Sequence, residues 1–437
     1  MGEQRIIVVS GDGHVGAPAA VYGDYLPKGL QPAFQEFMQE RIPRWTPLKE
    51  TSWWPSTLRT WFADTEGFDP ENGTAASWDP ALRLKALDQS GVAAEVFFPD
   101  DQSNNDPPWA SGLATNEHTT VEGYPPELVR AGARAYNRWL ADFCSADPTR
   151  LLGLTVLGTL DDVVWCCEEI ERAYESGLTT GVMLALEYYL PHYHHRRYDM
   201  LWETCSELNL PVNVHVGRGQ PNFLGDDPRS HMGVMMAEGL GYSLRPVASL
   251  IMGGVLERYP NLRLSVVEAG VGWVPMFVMG MDAAFETWDG MQAAATLVTD
   301  RPANLTMKPS EYFQRQVFVT HSISQKPEEF TDEALAMVPN MVFGADIGHM
   351  EGWWPFFGAP KGSLPDPVPP FYQFLTPVEE ATPTRDAYKA VWGGLQAEKL
   401  MPYLQDNFFR LFSNIDREPL RKVADEVCLT PSEMGLV

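Results

Sequence analysis

The chain has 437 residues, 44% of them hydrophobic, with 36 glycines and 36 prolines: enough apolar content for a substantial core and enough breakers for many loops. A formal charge of −26 repels phosphate backbones and anionic bilayers, which argues against nucleic acid and membrane as partners and leaves a small-molecule substrate. The five cysteines, Cys144, Cys166, Cys167, Cys205 and Cys428, form no CxxC pair and read as reduced buried thiols, not as a disulfide framework or a zinc site.

Ile6 to Val9 are too few for a signal-peptide core, and the most apolar long stretch, Leu264 to Met281, carries Glu268 and Pro275. A cytoplasmic protein is expected. Short apolar runs at 6–10, 94–99, 151–157, 180–186, 212–216, 264–267, 317–320 and 341–343 predict eight strands. Amphipathic stretches at 126–146, 163–176, 200–208 and 245–259, each closed near a Gly, Asn or Pro, predict helices between them. Continuous apolar strands separated by helices imply a parallel sheet covered on both faces.

Eight such units predict an α/β fold, a (β/α)8 TIM barrel in a single domain, with long insertions near 25–78, 101–124, 218–239, 283–311 and 351–387. In that fold the chemistry sits at the C-terminal ends of the strands. Polar residues fall there: Asp12 and His14 after the first run, Asp100 after the second, Glu187 after the fourth, His215 at the fifth, Glu268 after the sixth, His321 after the seventh and Asp346 after the eighth. Asp12 and His14 are two residues apart, so in an extended chain they face one spot. The Trp-, Pro- and Phe-rich insertions, such as Trp53-Trp54-Pro55, read either as an outer shell or oligomer contact, or as lids over the pocket.

The segments "GDGHV", "VNVHVG", "ERYPNLRLSVVEAGVGWVPM", "VFGADIGHMEG" and "NFFRLF" together resemble the amidohydrolase-related branch of the amidohydrolase superfamily, the group that includes aminocarboxymuconate-semialdehyde decarboxylase. The resemblance runs from residue 6 to about residue 412 and is strongest at strands one, five, six and eight. It implies a divalent metal site of Asp12, His14, His215 and Asp346, with Asp12 standing where many relatives have a histidine. Two-metal members of the superfamily place a bridging carboxylate at the end of strand four. Glu187 stands there and His321 would serve a second ion; Glu187 reads equally well as a solvated or Arg-paired loop carboxylate.

Neutral imidazoles and ionised carboxylates suit zinc, manganese or iron, and a bound water can then lose its proton near neutral pH. The decarboxylases of the branch carry a histidine after "NLR-apolar", whereas this chain has Glu268, which shifts the expectation toward hydrolysis. The leading expectation is therefore a metal-dependent hydrolase of an amide, ester or thioester, with Asp346 as base and Glu268 and His321 as further catalytic groups. Arg218 and His349 are the expected substrate-binding residues, with Glu351 beside them. The alternatives are a nonoxidative decarboxylase or lyase of an aromatic or enol acid, a dinuclear iron or manganese–iron enzyme activating oxygen, and a non-catalytic assembly subunit. Oligomerisation, with itself or a related subunit, is expected from the apolar insertions. The run His192, His194 and His195 reads as an exposed loop or, less readily, a metal cluster.

Overall fold

Eight parallel strands pair in chain order: β1 (Val9–Ser10), β2 (Ala94–Phe97), β3 (Leu151–Val156), β4 (Gly181–Met183), β5 (Val212–His215), β6 (Leu264–Val267), β7 (Val317–His321) and β8 (Met341–Phe343). The computed structural model describes residues 3–40, 68–69, 73–99, 105–110, 124–185, 190–216, 241, 243–294, 305–322, 330–347 and 384–437. The end strands meet, because the Gly11 amide donates to the Phe343 carbonyl at 2.7 Å and the His14 amide to the Ile347 carbonyl at 2.8 Å. The sheet thereby curls into the (β/α)8 barrel that the sequence predicts.

Seven of the eight apolar runs contain their strands, β7 running one residue past its run to His321, and every strand residue is buried, as a sheet covered on both faces requires. β1 is shorter than the run 6–10. The Ile6 amide bonds to the Leu429 carbonyl and the Ile7 amide to the Gln405 side chain, so the start of the run pairs with the C-terminal segment and not with the barrel ladder.

The helices Pro126–Cys144, Val163–Glu175 and Asp199–Glu207 lie where the amphipathic pattern places them. The single helix expected over 245–259 is two, 243–252 and Val255–Arg258. Gly254 takes φ +68 between them, and a Cβ on Gly253 would come within 2.0 Å of His194 Cβ, so chain and neighbour both require glycine.

Two expected insertions are also corrected at their ends. The helix Val274–Ala294 runs into the 283–311 stretch and the helix Pro309–Gln316 closes it. The helix Thr384–Trp392 begins before 351–387 ends. The 218–239 insertion lies outside the described residues. All five cysteines are buried and free. No helix among the described residues is long and apolar enough to cross a membrane.

A buried ion cluster joins two of the covering helices to the barrel. Glu169, fully buried, accepts from Arg134 Nε at 2.6 Å, from Arg172 and from Asn137 Nδ2 at 2.9 Å. Asn137 in turn exchanges two 2.9 Å hydrogen bonds with the backbone of Val156 on β3. Burial by itself would raise the Glu169 carboxyl, but the hydrogen bonds and charges of Arg172, Asn137 and Arg134 outweigh it and hold the group below its ordinary 4.5. A depressed folded-state pKa contributes stability above the unfolded value and loses it as pH falls through the folded one. Glu169→Gln is expected to cost about 1–3 kcal/mol in urea unfolding at pH 7, with the deficit shrinking below pH 4.5.

Candidate metal centre

The turn after β1 carries Asp12 and His14 into the mouth of the barrel, and its shape is fixed by bonds to the turn after β8. Ser10 Oγ donates to the Asp12 carbonyl at 2.6 Å and accepts from the Ala345 amide at 2.8 Å, while the Asp346 amide donates to the Asp12 carbonyl at 2.8 Å. Two glycines make room. A Cβ on Gly13 would lie 2.2 Å from Glu95 Cδ, and one on Gly344 would lie 2.2 Å from Ser322 Oγ and 2.9 Å from Asp12 Cβ.

His14 Nδ1 lies 3.0 Å from the Pro99 carbonyl, and His215 Nδ1 lies 2.8 Å from the Val216 carbonyl. A carbonyl only accepts, so each Nδ1 carries the proton and each Nε2 presents a lone pair in the neutral ring. Both Nε2 atoms face Asp12 Oδ1, at 3.6 Å from His14 and 3.4 Å from His215. The rings themselves meet edge to face with centroids 4.9 Å apart. Ser322 Oγ donates to the other oxygen of Asp12, Oδ2, which turns Oδ1 inward.

Among the described residues, Asp12, His14 and His215 are the one group whose ligand atoms all lie within 4.8 Å of one another. Asp12 Oδ1 and His215 Nε2 are buried and make no hydrogen bond. Acceptors converging without a shared proton repel one another, and a cation between them removes the conflict. The donor set therefore fits a divalent ion, with each histidine ring fixed from behind by a carbonyl.

Asp346, also buried, adjoins the trio with Oδ1 3.2 Å from His14 Nε2. Glu268 lies on the opposite side with Oε2 3.5 Å from His215 Nε2. Both take left-handed backbone, φ +53 at Asp346 and φ +59 at Glu268. Such a conformation costs a non-glycine residue about 1–2 kcal/mol and collects at functional sites. Burial would depress the His215 imidazolium, but the facing Asp12 carboxylate, and then Glu268, raise its pKa above 6.5.

The other predicted residues are placed as follows. His321 is buried at the end of β7, its carbonyl accepting from Tyr403 Oη at 3.0 Å, outside the trio. Glu187, Arg218 and His349, with Asp100 and Glu351, lie outside the described residues. His192 contacts Ser249 and Arg245, and His195 accepts from the Arg197 amide at 3.1 Å as the cap of a short turn. The histidine run thus has structural partners.

Four contributors carried no clear sequence signal. Ser10, the last residue of β1, and Ser322, just after β7, orient Asp12. Glu95 and Arg83 pair at 3.1 Å, both fully buried. Glu95 left one trace, a lone carboxylate inside the apolar run of β2. Burial lifts its carboxyl to about 8, against the pull of Arg83 and with the charges of Asp12 and Asp346 adding to the rise.

A family model described as amidohydrolase matches residues 50–366. The chain belongs to the amidohydrolase family. The matched range begins after Asp12 and His14, which the fold brings to the same site. A curated relative, decarboxylase orsB of Emericella nidulans, is 28% identical over 168 residues, 36% of this chain. The matched stretch spans about half, 49%, of that relative's length.

Among solved structures, the chain resembles amidohydrolase map2389c from Mycobacterium avium subsp. paratuberculosis, with TM-score 0.57 and 15% identity over 94% of this chain and 98% of that one. It also resembles 5-carboxyvanillate decarboxylase from Novosphingobium aromaticivorans, complexed with manganese and 4-hydroxy-3-methoxy-5-nitrobenzoic acid. That likeness has TM-score 0.53 and 18% identity over 94% of this chain and 96% of that one. Both confirm the fold.

Removing the hydroxyl that turns Asp12 inward tests the geometry. Ser322→Ala is expected to weaken manganese binding about 10–100-fold without changing the circular dichroism spectrum. Isothermal titration of the metal-stripped protein measures it.

Proposed function

We propose that the protein is a metal-dependent nonoxidative decarboxylase of an aromatic or enol acid, with Asp12, His14 and His215 as ligands and Asp346 as proton donor. The observation that carries this reading is the buried carboxyl group of Asp346 beside a trio of converging acceptors. A cation site and a proton source then adjoin, the two elements that replacing a carboxylate by hydrogen requires. The named activities of the curated relative and of the manganese-bound fold neighbour support the same direction.

A divalent ion held by the trio would bind the substrate's oxygens and draw its carboxylate into register; manganese and zinc suit two imidazoles and a carboxylate. The protein supplies the rest. Asp346 gives its proton to the carbon that bears the carboxylate, the carbon–carbon bond breaks, its electrons restore the conjugated system and carbon dioxide leaves. Asp346 Oδ1 lies 3.2 Å from His14 Nε2, which sets that carboxyl at the edge of the cation position. Glu268 Oε2 lies 3.5 Å from His215 Nε2, so a second carboxylate borders the cation position.

This revises the expectation of hydrolysis. The absence of a strand-six histidine counted against decarboxylation, but proton delivery from Asp346 does not need one. Glu268 then needs no part in the proton transfer and adds negative charge beside His215.

The test is turnover of ortho-hydroxybenzoates by manganese-loaded protein, followed by bicarbonate release, with oxygen uptake and ester hydrolysis measured alongside. Carbon dioxide release that falls about 10²–10⁴-fold in Asp346→Asn is expected. Ester cleavage or oxygen uptake without carbon dioxide release would contradict the proposal.

A further inference from the structure

Arg83 and Glu95 are a guanidinium and a carboxyl group with no exposure to water, outside the metal-facing set. Arg83 lies in the first turn of the helix Pro80–Ser90, whose N-terminus is capped by Asp79 through the amides of Ala81 and Leu82. From there its side chain reaches four partners on separate segments. Nε donates to the Ala76 carbonyl at 3.0 Å, Nη1 to Glu95 Oε2 at 3.1 Å and to the Ile347 carbonyl at 2.8 Å, and Nη2 to the His14 carbonyl. His14 faces the metal site, and Ile347 follows Asp346. One planar cation therefore bonds the backbone of both turns that carry site residues, after β1 and after β8.

Glu95 completes the arrangement from β2. Its side chain lies under Gly13, the residue between Asp12 and His14, so closely that no Cβ fits there. The Arg83 guanidinium also packs over the Phe97 ring at 5.4 Å.

We propose that Arg83 and Glu95 are a positioning clamp. They hold the Asp12–His14 turn in the shape that metal binding requires and tie it to the turn that carries Asp346. A buried ion pair is often no more stabilising than apolar residues of the same volume, so stability alone does not call for one here. A forked donor that bonds the turn carrying two of the ligands and the turn carrying Asp346 at once does what an apolar pair cannot. Lysine, with a single ammonium, cannot reproduce the fork.

The proposal rests on the metal reading of the trio, and the experiment separates the two. Manganese affinity of stripped wild type and Arg83→Lys is measured from the electron paramagnetic resonance signal of free Mn(II), with the melting temperature of each metal-free protein. The substitution conserves charge, so a change in affinity reports geometry.

The expected result is a loss of about 10–100-fold in affinity in folded Arg83→Lys. A merely structural residue would lower the melting temperature and leave affinity within twofold, and that result overturns the clamp while the metal site stands. No binding by the wild type overturns both. Should Arg83→Lys not fold, Glu95→Asp decides: it keeps the carboxyl group and withdraws it by one methylene. Weakening of several-fold supports the clamp, and unchanged affinity overturns it.

Discussion

A carbonyl oxygen can only accept a hydrogen bond, and two of them, on Pro99 and Val216, decide which nitrogen of His14 and His215 carries the proton. With Nδ1 committed, both Nε2 lone pairs point at the same oxygen of Asp12, in a pocket with almost no access to water. Ser322 fixes the other oxygen. Acceptors converging at such distances repel one another, and a cation between them relieves the repulsion. The barrel supplies the rigidity that keeps them together, because the ligands sit at the ends of different strands and cannot relax apart without opening the sheet.

The same concentration of negative charge governs the surroundings. Asp12, Glu95 and Asp346 are all buried and Glu268 nearly so, and Arg83 is the fully buried cation set among them. Glu95 responds by holding its proton more tightly, and His215 by becoming a stronger base. A divalent ion held by Asp12, His14 and His215 would relieve this repulsion and would supply an electrophile beside the Asp346 carboxyl. Two site residues pay for their placement with left-handed backbone, and the bonds from the Asp346 amide to the Asp12 carbonyl and from the Glu268 amide to the Thr320 carbonyl hold them there.

Much of this was legible in the sequence. The eight apolar runs are visible because a strand buried on both faces has no polar side, and Asp12, His14, His215 and Asp346 stand out as polar interruptions at their ends. What escaped detection depends on distant contacts. The Gly253–Gly254 break follows from the approach of His194, and Arg83 looks like any charged residue of an amphipathic helix until its bonds to His14 and Ile347 are seen. The choice between hydrolysis and decarboxylation was weighted by Glu268, whose observed place is beside the metal-facing nitrogen of His215.

The central claim is that Asp12, His14 and His215 hold one divalent ion. Anomalous scattering at the manganese edge, from crystals grown with Mn(II), tests it most directly. The account predicts a peak within about 2.3 Å of Asp12 Oδ1 and of both Nε2 atoms. A manganese peak elsewhere, or none at these three atoms, would contradict it.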